Sequence, residues 1–156
     1  MTINRGKAFE SRFRLQWQET VPDSFIYRLN DQVSGYKGTS RNVSDFICYK
    51  KPIIYLIECK SHEGNTFPLA TLRQYDELIQ YDDIPGVEPG VILWMVDHDK
   101  VLWIPISTFK RLKDENKKSF NIKMINEYKC LELPSKKLRT FMSTNYSALI
   151  DYYKEK

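Results

Sequence analysis

Three residues have the types and spacing to act on a phosphate: Asp45, Glu58 and Lys60. Glu58 and Lys60 stand two apart in the apolar run IIYLIECK at 53–60. Alternate side chains of a strand share a face, so this carboxylate and ammonium point the same way, about 6–7 Å apart. Either charge on a buried face costs desolvation free energy unless a partner or a task compensates it. Asp45 opens the preceding apolar segment, SDFICY at 44–49, and the polar turn YKKP separates the two. If the segments pair, Asp45 comes beside Glu58, and adjacent carboxylates disfavour each other's ionisation. A divalent cation relieves that repulsion, and hard oxygen donors suit Mg²⁺, with Mn²⁺ able to substitute. With Lys60 to position a water or steady charge on a phosphate, these are the parts for metal-assisted phosphodiester hydrolysis. A cross-strand lysine–carboxylate pair on an exposed sheet face accounts for the same three residues, and D…ExK alone is a common pattern.

The elements that must position these groups are legible in outline. Residues 4–19 read as a helix: Phe9, Phe13 and Gln16/Trp17 recur at helical spacing, Asn4 caps the start and Pro22 stops the end. Strands are expected at 24–29, 44–49 and 53–60, the last two forming a hairpin. SHEGNTF reads as a loop, and 68–84 reads as a helix with Pro68 in its first turn and Leu72, Tyr75, Leu78 and Ile79 on one face. PGVEPG breaks it. The all-apolar VILWMV at 91–96 suggests a covered central strand, followed by a DHDK turn and the strand VLWIPI at 101–106. A short solvated helix over 107–119, two short strands in FNIKMI and YKCLEL, and a final helix at 145–156 capped by Asn145 complete the chain. This order implies an α/β fold with a mixed central sheet flanked by helices, in one domain over 1–156.

Composition bounds the function. The chain has 156 residues and a net charge of +4, which permits a nucleic-acid partner without requiring one. Nothing approaches 18 consecutive apolar residues, so no membrane span is expected. The N-terminus lacks an apolar signal core, and Cys48, Cys59 and Cys130 read as free thiols of a reducing cytoplasm. Lys37 and Arg41, with Gly35 and Gly38, sit in the polar loop before Asp45 as candidates to follow a phosphate backbone. Ser44 is a candidate phosphate donor, and His62, two residues past Lys60, is a loop histidine within reach of DNA. Asp97, His98 and Asp99 resemble metal spacing superficially, but an acid-rich turn between strands is the ordinary reading. The basic stretches PSKKLR (134–139) and FKRLK (109–113) are candidates for outer DNA contacts. Trp94 and Trp103 belong to apolar strands and read as core, while Trp17 is a candidate dimer-surface residue.

Four ordered pieces, NRGKAFE, SDF, IECKS and TFPLATLRQYDEL, together with the strand GVILWMV, resemble the PD-(D/E)xK, restriction-endonuclease-like superfamily, and within it the RecU-type Holliday junction resolvases. The archaeal junction resolvases share a similar arrangement. The loop ahead of Asp45 is too short for the basic stalk of RecU-type proteins, which marks a stalk-less, phage-type relative acting in the cytoplasm of a bacterial host. The resemblance implies a homodimer that binds branched DNA and makes paired nicks with Mg²⁺ or Mn²⁺, leaving a 5′-phosphate and a 3′-hydroxyl. It implies that Asp45 and Glu58 are metal ligands and that Glu10 is a helix-borne acid completing the site. Lys60 becomes the catalytic lysine, Gln74 an active-site glutamine near the attacking water, and Arg5, with Lys7 beside it, a phosphate contact. A superfamily nuclease acting on flaps, ends or duplex is the nearest rival, and a non-catalytic DNA-binding protein with a degenerate nuclease fold is the other.

Overall fold

The computed structural model describes residues 4–30 and 42–155; the candidates Lys37 and Arg41 lie outside them. Helix α1 (Arg5–Thr20) begins where expected, with Asn4 Oδ1 accepting the Lys7 backbone N–H at 3.1 Å. Its buried residues, Phe9, Phe13, Gln16 and Trp17, make one stripe, as a 3.6-residue period requires. Strands β1 (Phe25–Arg28), β2 (Phe46–Lys50) and β3 (Ile53–His62) follow as an antiparallel meander. β3 runs two residues past the expected end, so Lys60 is still inside the strand and His62 is a strand residue, not a loop one.

The region after β3 departs furthest from expectation. SHEGNTF holds the end of β3 and the start of a short strand β4 (Thr66–Pro68), and the single helix expected over 68–84 is two pieces. A 3-10 turn at Leu69–Thr71 ends at Leu72, whose ψ of 87° leaves helical space, and helix α2 covers only Tyr75–Ile79. Of the face Leu72, Tyr75, Leu78 and Ile79, Leu72 and Leu78 are nevertheless buried and Tyr75 and Ile79 are half-buried against the same core, which Leu69 joins. The apolar spacing therefore reported which residues face inward, and a broken path satisfies it as well as one helix does.

Strand β5 (Val87–Met95) pairs parallel with β3 and antiparallel with β6 (Lys100–Pro105). It begins four residues earlier than the apolar run suggests and passes through Pro89 and Gly90. β6 pairs only from Gly90 onward, so β5 has a free edge at Pro89, where a missing N–H is tolerated. At Gly90 a Cβ would lie 2.5 Å from Trp103 Cη2, so the indole packs where only glycine leaves room. Helix α3 (Ile106–Asp114) is less solvated than its charge alternation suggests, burying Ile106, Thr108, Phe109 and Leu112. β7 (Ser119–Asn121) pairs with β4, and β8 (Leu131–Leu133) closes the main sheet beside β6. A hairpin of β9 (Ser135–Lys137) and β10 (Met142–Thr144), absent from the sequence expectation, precedes helix α4 (Ser147–Lys154). Asn145 Oδ1 accepts the Ser147 N–H at 3.0 Å, but the helix starts at Ser147, so the residue in the cap position is Tyr146, whose side chain makes no capping bond.

The main sheet has the order β1-β2-β3-β5-β6-β8, with both faces covered near its centre. One face packs on α1 and α4 through an aromatic-rich core including Phe9, Phe13, Trp17, Tyr55, Trp103 and Tyr146. The other packs on α2, α3 and the β4–β7 ribbon through Leu56, Phe67, Leu93, Ile104 and Phe109. Trp17 is fully buried and its Nε1 donates to Ser24 Oγ at 3.0 Å, which removes it as a dimer-surface residue. No helix of the described residues is long and apolar enough to cross a membrane.

Candidate active site

The β2–β3 register places Phe46 opposite Ile57, so Asp45 lies beside Glu58 where the paired strands reach the active end of the sheet. The Cys59 backbone N–H donates to Asp45 Oδ2 at 2.9 Å and fixes that carboxylate across the strands. Glu58 is 2% exposed. Its Oε2 is buried with no hydrogen-bond donor among the described residues, because the neighbouring Asp45 carboxylate is itself an acceptor. A shared proton or a cation is what joins two such groups.

The electrostatics agree. Burial pushes the Glu58 carboxyl up to about 9, the Asp45 charge adds to the rise, and Lys60 offsets it only partly. Burial also raises Asp45, against the Cys59 N–H that lowers it. Lys60 Nζ lies 3.6 Å from Glu58 Oε1, a loose contact from a half-buried side chain, and burial with the Asp45 charge outweighs it. Without a cation, burial and the mutual repulsion of the pair favour a proton on Glu58.

The other sequence candidates divide. Glu10 faces this region from α1 and adds to the rise at Glu58, but its Oε2 accepts from Arg28 Nη2 at 2.8 Å. Among the described residues no group of three His, Cys, Asp or Glu is gathered as a metal cluster, so the acids form a close pair with Glu10 held by an arginine. Gln74 is the residue preceding α2, and its Oε1 is buried without a partner among the described residues. Arg5 is exposed and pairs with Glu63 just past β3; Lys7 is exposed on the first turn of α1. His62 meets the Phe67 ring edge-on at 5.5 Å. Ser44 departs from expectation: it is 2% exposed and its hydroxyl donates to Phe46 O at 2.8 Å, so it shapes the strand entry instead of facing a phosphate. The Asp97–Asp99 segment is the turn expected of it.

Two residues were missed. Arg28 ends the short apolar strand FIYR, and a charge in such a strand is the same signal that marked Glu58 and Lys60. Glu77 Oε2 is buried without a partner among the described residues, three residues after Gln74 and so on the same side of the turn.

The donor set suits a small hard cation. Mg²⁺ commonly takes one or two carboxylates and completes its shell with water and substrate phosphate. Asp45 and Glu58, with an oxygen that lacks any donor, fit that pattern.

No family model matches the chain, and no curated protein matches it. Solved structures do. One is Hjc, a Holliday junction resolvase of the archaeal hyperthermophile Archaeoglobus fulgidus, with a TM-score of 0.58, 16% identity, and coverage of 81% of this chain and 95% of that one. The chain thus has a restriction-endonuclease-like α/β fold, a mixed sheet flanked by helices, shared with that resolvase.

Proposed function

We propose that the chain is a metal-dependent endonuclease that resolves four-way DNA junctions, a stalk-less relative of the RecU type acting as a homodimer. The observation that carries this is the Asp45–Glu58 pair, with Glu58 buried and one of its oxygens lacking a donor among the described residues, set beside Lys60. The fold shared with an archaeal junction resolvase supports the substrate class.

Asp45 and Glu58 would hold Mg²⁺ or Mn²⁺, which when bound supplies a Lewis acid for the scissile phosphate and a more acidic water. The residues of the chain do the positioning. The Cys59 N–H holds Asp45, and Glu58 would have to be deprotonated to serve as a ligand. Lys60, on the face of Glu58, orients the nucleophile and steadies the charge gathering on the phosphate. Gln74 supplies an acceptor for the attacking water. Glu10 acts from α1 through its charge, with Arg28 setting its orientation. Arg5 and Lys7, at the start of α1, take the DNA backbone. A two-fold dimer presents two such sites to one junction and makes paired nicks with 5′-phosphate and 3′-hydroxyl ends.

The test is a cleavage panel of a four-way junction, a flap and a plain duplex, each with Mg²⁺, Mn²⁺ or EDTA. Symmetric metal-dependent nicks confined to the junction are expected. Equal cutting of flap or duplex would reassign the substrate, and no cutting of any DNA would leave a DNA-binding protein on a nuclease fold.

A further inference from the structure

A second concavity lies on the opposite face of β5 from Lys60. It is a cavity of about 520 Å³ between the first turns of α1 and the tip of the β9–β10 hairpin. Phe9, Trp94 and Phe141 supply aromatic surface, and a shallower extension along the same wall reaches Lys137 and Arg139. The cavity is built into the fold. Gln16, buried on α1, donates to Met142 O at 2.9 Å and accepts the Thr144 N–H at 3.1 Å, which pins β10 against the helix. The Arg12 guanidinium lies 3.7 Å from the centre of the Phe141 ring.

Three features specify an occupant. Trp94 is 7% exposed, and its indole N–H is buried without an acceptor among the described residues, although a buried donor normally has one. The rim is basic: Arg5 and Lys137 pair with Glu63 and Asp99, while Arg12 and Arg139 make no ion pair among the described residues. Flat aromatic rings beside guanidinium groups, in a cavity of small-ligand size, match a nucleobase with its phosphate. A paired base within a duplex cannot enter such a cavity; an unstacked one can. The position agrees, since Trp94 pairs in register with Ser61, the residue after Lys60, on the neighbouring strand. The cavity thus opens on the other face of the sheet, one residue further along β3 than Lys60.

We propose that the cavity between α1 and the β9–β10 hairpin receives one unpaired base of the DNA substrate, stacked against Phe141 and Trp94, with Arg12 and Arg139 on the flanking phosphates. This rests on the reading of the chain as a DNA nuclease and adds what it recognises beyond the cut phosphate: a displaced base, as branch points offer and continuous duplex does not.

The test compares binding, in EDTA so that nothing is cut, to a duplex carrying one unpaired nucleotide and to the same duplex with that nucleotide abasic. Anisotropy titration should show about tenfold tighter binding of the base-bearing DNA, the scale of one base stacking on an aromatic ring. Phe141→Ala, a change at a half-buried hairpin residue, should bring the ratio of the two affinities to one; because Arg12 rests on this ring, the ratio and not either affinity is the readout. Arg139→Ala, fully at the surface, should weaken both DNAs alike. Equal affinities in the native protein, no binding of either DNA, or a preference that survives Phe141→Ala would overturn the proposal. The nuclease reading falls separately: a base preference without cleavage in the substrate panel removes the enzyme and keeps the cavity, and normal cleavage without the preference does the reverse.

Discussion

The chain carries two clusters of acids at the ends of central strands, and they behave oppositely. Asp45 and Glu58 are held together with Glu58 buried and Asp45 half-buried, and one Glu58 oxygen has no donor among the described residues. Asp97 and Asp99 stand in an exposed turn where each has found a local partner. Asp97 Oδ2 accepts the Gly64 N–H at 2.6 Å, and Asp99 Oδ1 lies 3.3 Å from Lys137 Nζ. Between them, His98 Nε2 shares a hydrogen with Asn65 Oδ1 at 2.7 Å. By composition the second cluster, with its histidine, is the more metal-like. It lacks an unmet demand: solvent and neighbours already satisfy it, so an arriving cation displaces good interactions. The first cluster is poorly satisfied as it stands, and a cation relieves both the burial and the mutual repulsion.

The contrast is broken most directly by substitution. Asp45→Asn or Glu58→Gln should lower metal-dependent junction cleavage by about 10²–10³-fold, the scale of losing a group that stabilises transition-state charge. Junction affinity should be kept in both variants and modestly raised in Asp45→Asn, where a negative charge near the phosphate is gone. Asp97→Asn should leave the cleavage rate within about twofold, as expected of an exposed turn residue. A full-rate Asp45→Asn enzyme, or a dead Asp97→Asn one, would invert the assignment.

A smaller effect separates the clusters through pH. The folded state holds the Glu58 proton up to about 9, against an ordinary value of 4.5, so between those values the folded chain binds more protons than the unfolded one. Stability from this group is therefore full at low pH and is lost as pH rises towards 9, by at most about 1.4 kcal/mol per pH unit. Denaturant melts of the metal-free protein across pH 5–9 should show that decline, with Mg²⁺ opposing it at the alkaline end. Glu58→Gln should flatten the slope and Asp97→Asn should preserve it. An unchanged slope in Glu58→Gln would mean that the proton resides elsewhere.

The smallest effect belongs to the exposed cluster. Asp97→Ala removes the acceptor of the Gly64 N–H and should cost about 1 kcal/mol, read as a lower denaturation midpoint with the same response to Mg²⁺. A loss of Mg²⁺ response in this variant would show that the turn takes part in metal binding after all.

What could be read along the chain followed local rules. The Asn4 cap and the Phe9–Phe13–Trp17 stripe specify α1, and the turn between two apolar runs specifies the β2–β3 hairpin, because capping and alternation act within a few residues. The path after β3 differs from one helix because the spacing of Leu72, Tyr75, Leu78 and Ile79 specifies burial but not the backbone route to it. β5 was cut short because Pro89 and Gly90 look like breakers until β6 is seen to pair only from Gly90 and Trp103 to lie over it.

The same division applies to the site. The amino-acid sequence by itself determined that Glu58 and Lys60 share a strand face and that Asp45 stands at the start of the adjoining strand, since strand alternation is a property of the backbone. Tertiary structure alone decided that Arg28 holds Glu10, that Ser44 turns inward, and that a cavity of about 520 Å³ opens between α1 and a hairpin more than a hundred residues away. Those outcomes depend on which distant surfaces are pressed together, and burial, charge coupling and cavities exist only once they are.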